Sequence, residues 1–136
     1  MDDLTAWLRE CLDDDERVAQ AAIADHDGEA VWAVEPPDPD ARFPRSRFLW
    51  LTVIDSCAPE TIPPGMAEHM ARWDPARVLA EIDAKRRLID THQPERRGVF
   101  VDLWCVHDKQ PNPCDTVRLL ALPYAARDGY QESWRP

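Results

Sequence analysis

The sequence predicts an α+β fold, in which a small antiparallel sheet of about three strands is packed by an N-terminal amphipathic helix, a broken central helix pair and a C-terminal helix. Two observations support this prediction. Several segments repeat apolar residues at helical spacing, and the few strand-like runs do not alternate regularly with helices as in a parallel α/β fold. The chain has 136 residues, 44% of them hydrophobic, and we expect residues 1–136 to form a single domain.

The first predicted element is an amphipathic helix over residues 3–24. Its apolar stripe consists of Leu4, Trp7, Leu8, Cys11, Leu12, Val18 and Ala22. Four consecutive acids lie largely off that stripe: Asp13, Asp14, Asp15 and Glu16. The pattern indicates a helix with one buried side and one solvated, acidic side.

Three short runs predict strands, at residues 29–34, 47–54 and 98–106. The second run, RFLWLTVI, is rich in aromatic and β-branched residues and is apolar on both faces, which is typical of an interior strand. The polar, proline-rich segment between the first two runs predicts an exposed loop.

The centre of the chain predicts two helices with a break between them. A short helix is expected over residues 65–73 and a long one over 75–91. Asp74 is placed to cap the second helix and Pro75 to begin it, since proline is favoured at the first helical position. Proline also disfavours helical geometry at the residue before it, so the chain should break at Trp73–Asp74.

A final helix is predicted to begin near Asp115 and to end or kink at Pro123, because proline removes a backbone donor. Its inward face consists of Val117, Leu120, Ala121 and Tyr124. Tyr130 and Trp134 follow at a spacing of four, so the C-terminal tail is expected to fold back as a hydrophobic clasp.

Charge and composition exclude some functions. The formal net charge is −10, and residues 1–40 alone hold thirteen acids and two arginines, a balance of −11. Such a surface repels phosphate backbones, so we expect no direct nucleic-acid binding and rather a basic protein partner. The sequence shows neither a signal peptide nor a run long enough to cross a bilayer. We therefore expect a cytoplasmic protein with reduced thiols and no membrane contact.

Common catalytic signatures are absent from the sequence. The four glycines are far apart, which excludes a glycine-rich phosphate loop, and neither G-x-S-x-G nor H-E-x-x-H occurs. These absences exclude the commoner catalytic signatures and not an enzyme as such.

The segment LWCVHDKQPNPC, residues 103–114, contains the spacing Cys105-x-His107-x6-Cys114. Thiolates and imidazoles are zinc ligands, and a turn at the two prolines can bring these three together. A fourth ligand would come from elsewhere, the candidates being His69, His92 and Asp102.

Two other interpretations of this segment remain open. Alternation places Cys105 on the apolar face of the predicted strand 98–106, so the cysteines can simply pack in the core, and this is the interpretation that the pattern favours. Cys105 and His107 also lie two residues apart and so share a face of the predicted strand, where they could act as a nucleophile and its base. No third group is placed to orient the histidine.

The chain resembles a family of uncharacterised small proteins from actinobacteria and their phages, known only as a domain of unknown function. The resemblance rests on the opening MDDLTAWL, the middle HMARWDPARVLAEIDAKRRLIDTH and the end PCDTVRLLALPYAARDGYQESWRP. It implies a zinc site made of a C-x2-C pair, the cysteine of the "PC" and a histidine. Cys105, Cys114 and His69 match that pattern, whereas Asp102 stands at the first cysteine and Trp73 at a second histidine. These two departures count against the family's zinc site in this chain.

The predicted function is a non-catalytic protein-interaction module of phage or mobile-element origin, with no cofactor. Its interaction surface is the acidic patch of Asp13, Asp14, Asp15 and Glu16, or else the tryptophan-bearing surfaces. The alternative is a zinc-binding protein or a small metal-dependent enzyme that uses Cys105, His107, Cys114 and His69.

Overall fold

The computed structural model describes residues 3–33, 64–96, 98 and 103–136. These residues form four α-helices, three strands and two short 3₁₀ turns. In chain order they are α1 (Asp3–Asp25), α2 (Pro64–Arg72), α3 (Pro75–Thr91), β1 (Pro94–Arg96), β2 (Leu103–Cys105), β3 (Gln110–Pro111), α4 (Asp115–Ala121) and the 3₁₀ turns Leu122–Tyr124 and Glu132–Trp134. The structure therefore confirms the predicted α+β class, the small antiparallel sheet and the four helices.

The sheet has the order β1-β2-β3, and both pairings are antiparallel. Cys105 in the central strand lies opposite Pro94 on one side and Gln110 on the other. The edge strands contain Pro94 and Pro111, which a central strand would not accept because proline cannot donate to the ladder. The sequence does not predict β1 and β3, because the proline in each argues against a strand.

The chain divides into two compact units, one made of Met1–Val18 with Leu79–Pro136 and the other of Ala19–Val78. In the first unit the core is apolar and is drawn from the start of α1, the end of α3, the sheet and α4. Its most buried side chains are Leu4, Leu8, Leu12, Ile89, Val117, Cys105 and Cys114. Cys11 is also buried, as its place on the apolar stripe predicts.

The C-terminal tail of the first unit packs on Trp7. The Trp7 ring lies 5.6 Å from Tyr130 and 5.4 Å from Trp134, measured between ring centroids. Its indole N–H donates a 3.0 Å hydrogen bond to the carbonyl of Asp128. These contacts form the predicted clasp, and they bury Trp134.

In the second unit, the buried carboxylate of Asp74 stands at the start of α3. It accepts hydrogen bonds from the backbone N–H of Arg77 at 2.9 Å and of Trp32 at 3.2 Å. The first bond is the predicted N-cap, and α2 and α3 break at Trp73–Asp74 as expected. The second bond attaches an extended segment to the same helix start, a role that the sequence did not indicate.

Other predictions about individual segments had different outcomes. Residues 29–33 form no strand, and only 103–105 of the predicted strand 98–106 is a strand among the described residues. The predicted strand 47–54 lies outside the described residues. Val18 was expected on the buried stripe of α1 but is 56% exposed, because periodicity identifies a face of a helix and not how far along it other elements pack.

Among the described helices, none combines the length and the apolar character needed to cross a membrane.

Candidate metal centre

Four side chains with metal-binding atoms converge in the first unit: His92, Cys105, Asp108 and Cys114. His92 follows α3, and its backbone N–H still bonds to the carbonyl of Leu88 at 3.0 Å, so the end of the helix fixes its position. Cys105 ends β2, Asp108 lies in the turn that follows, and Cys114 immediately precedes α4. Each ligand is thus placed at the end of an element or in a tight turn.

The Nδ1 atom of His92 lies close to the other three ligand atoms. It is 3.5 Å from the Cys105 Sγ, 3.6 Å from the Cys114 Sγ and 3.3 Å from the Asp108 Oδ2. The four ligand atoms all lie within 4.8 Å of one another. They therefore surround a volume the size of one ion.

The centre is mostly closed to solvent. Cys105 and Cys114 are 0% and 1% exposed, and His92 is 5% exposed. The side chain of Asp108 is 19% exposed. Asp108 is accordingly the ligand through which solvent reaches the group.

Both sulfurs accept backbone hydrogen bonds. The N–H of Asp108 donates to the Cys105 Sγ at 3.5 Å, and the N–H of Val117 donates to the Cys114 Sγ. Such bonds favour the thiolate, which is the form that binds metal.

Two ionisable ligands have shifted pKa values. A hydrogen bond from Thr116 is the main cause that lowers the pKa of Asp108 to about 2, with further contributions from Cys114, His107 and His92. Burial raises the pKa of the Cys114 thiol to about 12. Without metal at neutral pH, the group therefore has a charged carboxylate and a protonated Cys114.

The distances fit tetrahedral zinc. Zinc holds sulfur, nitrogen and oxygen at about 2.3, 2.0 and 2.1 Å, so a nitrogen ligand lies about 3.5 Å from a sulfur and about 3.4 Å from an oxygen. The three distances from His92 Nδ1 agree with these values. Two sulfurs on one zinc are about 3.8 Å apart, so the remaining pairs, all within 4.8 Å, need to close by no more than about 1 Å.

His107 lies just outside the group. Its ring centroid is 4.5 Å from that of His92, and its Nδ1 is 3.5 Å from the Oδ1 of Asp108. The two oxygens of Asp108 therefore face different histidines. The side chain of His107 is 60% exposed, in contrast to the buried His92.

A family model described as a family of unknown function (DUF6221) matches residues 1–136. The chain belongs to this family. Comparisons with curated proteins and with solved structures found no match. Membership of DUF6221 thus agrees with the resemblance seen in the sequence and assigns no activity.

For this DUF6221 member the structure brings together part of the predicted ligand set. Cys105 and Cys114 belong to the group, and His92, one of the three candidates for a fourth ligand, completes it with Asp108. His69 is instead exposed on α2, with its ring 6.3 Å from that of Trp73. Asp102 lies outside the described residues.

Asp108 is the member of the group that the sequence did not predict. Its signal was the spacing Cys105-x2-Asp108, a C-x2-C knuckle with aspartate at its second position. The sequence pattern points equally to Asp102, three residues before Cys105, and to Asp108, three residues after it. Because aspartate is common on surfaces, the spacing becomes informative only once His92 and Cys114 are seen to meet it.

The four acids predicted as an interaction surface all have partners within the chain. Arg86 binds Asp13 and Glu16 at 2.5 and 2.7 Å, and Arg17 binds Asp14 at 2.5 Å. Asp15 pairs with Arg127 and accepts a 2.8 Å hydrogen bond from the Tyr124 hydroxyl. A basic partner would have to compete with these contacts. The acidic interaction surface itself stays a prediction.

Proposed function

We propose that this chain is a zinc-binding protein and that the ion, held by His92, Cys105, Asp108 and Cys114, has a structural role. The observation that carries the proposal is the convergence of four ligand atoms within 4.8 Å in a largely buried place. Four protein ligands complete a tetrahedral zinc sphere and leave no position for a substrate, which is typical of a structural site. The geometry therefore favours this role over a metal-dependent enzyme.

The chemistry of the donors selects the metal. Calcium and magnesium prefer oxygen ligands, whereas two sulfurs and an imidazole suit zinc. The carboxylate of Asp108 is an accepted zinc ligand as well. Among common cellular divalent ions, zinc fits this donor set best.

The proposal is tested by metal analysis of protein purified without chelator. We expect about one zinc per chain. Replacement by Co²⁺ should give an absorption band from thiolate-to-metal charge transfer, which reports directly on sulfur ligands. A wild-type protein that holds no zinc, and that shows no such band with Co²⁺, contradicts the proposal.

A matched pair of variants separates ligation from burial. Cys114→Ser removes a ligand sulfur, while Cys11→Ser changes another buried cysteine that lies outside the four-residue group. Zinc content should fall in the first and remain in the second. Because Cys114→Ser can also impair folding, Asp108→Asn provides a second test at a partly exposed ligand, and we expect it to weaken zinc binding because it removes the charge of a ligand carboxylate.

We further propose that the zinc-stabilised fold is a non-catalytic protein-interaction module. The support lies in the second unit, where Val31, Met66 and Trp73 are 70%, 59% and 46% exposed. The guanidinium of Arg77 lies 4.0 Å from the centroid of the Trp73 ring. Tryptophan, methionine and arginine are enriched in protein interfaces, often as anchors.

Affinity capture with two variants tests this second role. Trp73→Ala should lose a bound protein, and Leu119→Ala, which changes another exposed apolar residue, should retain it. Reversal of Asp13, Asp14 and Glu16 to lysine tests the acidic surface in the same assay. If only the reversed variant loses the partner, the acidic surface is the interface; if all variants capture equally, both surfaces are excluded.

A further inference from the structure

The exposed side of the metal centre contains a second pair of ligand atoms. The Nδ1 of His107 and the Oδ1 of Asp108 are 3.5 Å apart. One zinc ion places a nitrogen and an oxygen ligand about 3.4 Å apart, so this pair has the separation needed to bind an ion together. It shares Asp108 with the buried group, because the other oxygen, Oδ2, faces His92 at 3.3 Å.

His107 and Asp108 lie between solvent and the buried ligands of the centre. His92, Cys105 and Cys114 are at most 5% exposed, whereas the side chains of Asp108 and His107 are 19% and 60% exposed. An ion that approaches from solvent therefore reaches His107 and Asp108 before it can reach either sulfur.

We propose that His107 and the Oδ1 of Asp108 form an encounter site through which zinc enters and leaves the centre. The proposal rests on the proposed function, since it requires that the centre binds zinc. An arriving ion first binds Nδ1 of His107 and Oδ1 of Asp108. Asp108 then presents its inner oxygen, and the ion exchanges His107 for His92, whose ring centroid is only 4.5 Å away.

The pair of His107 and Asp108 lowers the activation free energy both for zinc uptake and for zinc release. Without His107, an ion that has left the two sulfurs and His92 must be held by a single carboxylate and water. With it, the ion gains the imidazole of His107 as it loses that of His92. Because His107 contacts the ion only in transit, it changes the rates of uptake and release and not the equilibrium affinity.

The test compares His107→Ala with His69→Ala in full-length, zinc-loaded protein. His69 is a matched control because it is also an exposed histidine, but it lies on α2 and is not a member of the group. Zinc release to an excess of a chromophoric chelator and zinc uptake by metal-free protein are each followed by stopped flow. The zinc dissociation constant is measured separately by competition.

We expect His107→Ala to slow release and uptake by the same factor, on the order of tenfold, with an unchanged dissociation constant, and His69→Ala to behave as wild type. Equal rates in both variants overturn the encounter site while leaving the zinc centre intact. A weakened affinity with unchanged uptake also overturns it, because His107 would then be a resident ligand. A wild-type chain that binds no zinc overturns the proposed function and this inference together.

Discussion

Gly129 offers a sharp test of how the C-terminal tail is held. Its backbone has a φ of +86°, and a Cβ built on it would lie 2.9 Å from the Nε1 of Trp7 and 3.2 Å from its Cδ1. In Gly129→Ala the indole must shift. The shift weakens the 3.0 Å hydrogen bond from Trp7 to the carbonyl of Asp128 and the ring contacts with Tyr130 and Trp134.

The expected loss in the free energy of unfolding has three parts. A left-handed backbone costs alanine about 1 kcal/mol. Loss of the indole hydrogen bond costs about 1 kcal/mol, and weakened aromatic contacts cost about 1 kcal/mol more. The sum for Gly129→Ala is about 3 kcal/mol, which for a chain of this size lowers the melting temperature by about 10 °C.

Gly28→Ala is the matched control. Gly28 has the same φ of +86°, but nothing lies within 4 Å of its built Cβ. It should lose only the backbone part, about 1 kcal/mol. Urea unfolding followed by tryptophan fluorescence gives both values. Equal losses in the two variants would refute the packing of Trp7 on Gly129.

Three further predictions concern stability. Asp74→Ala should lose about 1 to 2 kcal/mol, because the backbone N–H of Arg77 loses its cap; an unchanged melting temperature would refute the cap. Burial raises the pKa of Tyr124, and its hydrogen bond to Asp15 raises it further, so the folded state resists ionisation of the phenol. Stability should be complete below the unfolded pKa of about 10 and fall as pH rises above it, and Tyr124→Phe should remove this alkaline loss in urea titrations. Truncation after Arg127 removes the tail that packs on Trp7 and should lower the melting temperature; retention of the wild-type value would show that the clasp is not structural.

Helices were the most predictable part of this fold. The predicted range 75–91 coincides with α3, and α1 differs from its prediction by one residue. Both follow from apolar periodicity, and α3 also has a cap and a proline at its start, all of which are local signals. The strands are three, three and two residues long, too short for periodicity to distinguish them from turns.

Contacts between distant residues set the limit of the sequence analysis. The four adjacent acids of α1 predicted a solvated acidic surface, because among their partners only Arg17 lies on the same helix. Their other partners, Arg86 and Arg127, are 70 to 112 positions away. Asp15 was predicted on the solvated face together with the three neighbouring acids. It lies four residues after the buried Cys11 and hence on the inward face of α1, where it contacts Tyr124.

The short sheet gives a physical reason why the proposed zinc ion would stabilise the fold at this place. Two edge strands of three and two residues with a proline in each supply few backbone hydrogen bonds, and such a sheet is not stable by itself. The four ligands connect the end of α3, the end of β2, the turn after it and the start of α4, and His92 meets sulfurs that are 13 and 22 positions away. The proposed zinc ion, by binding only the folded chain, would stabilise this connection by about 2.7 kcal/mol at a free zinc concentration 100 times its dissociation constant. That gain would act on the segments that the short sheet alone holds weakly.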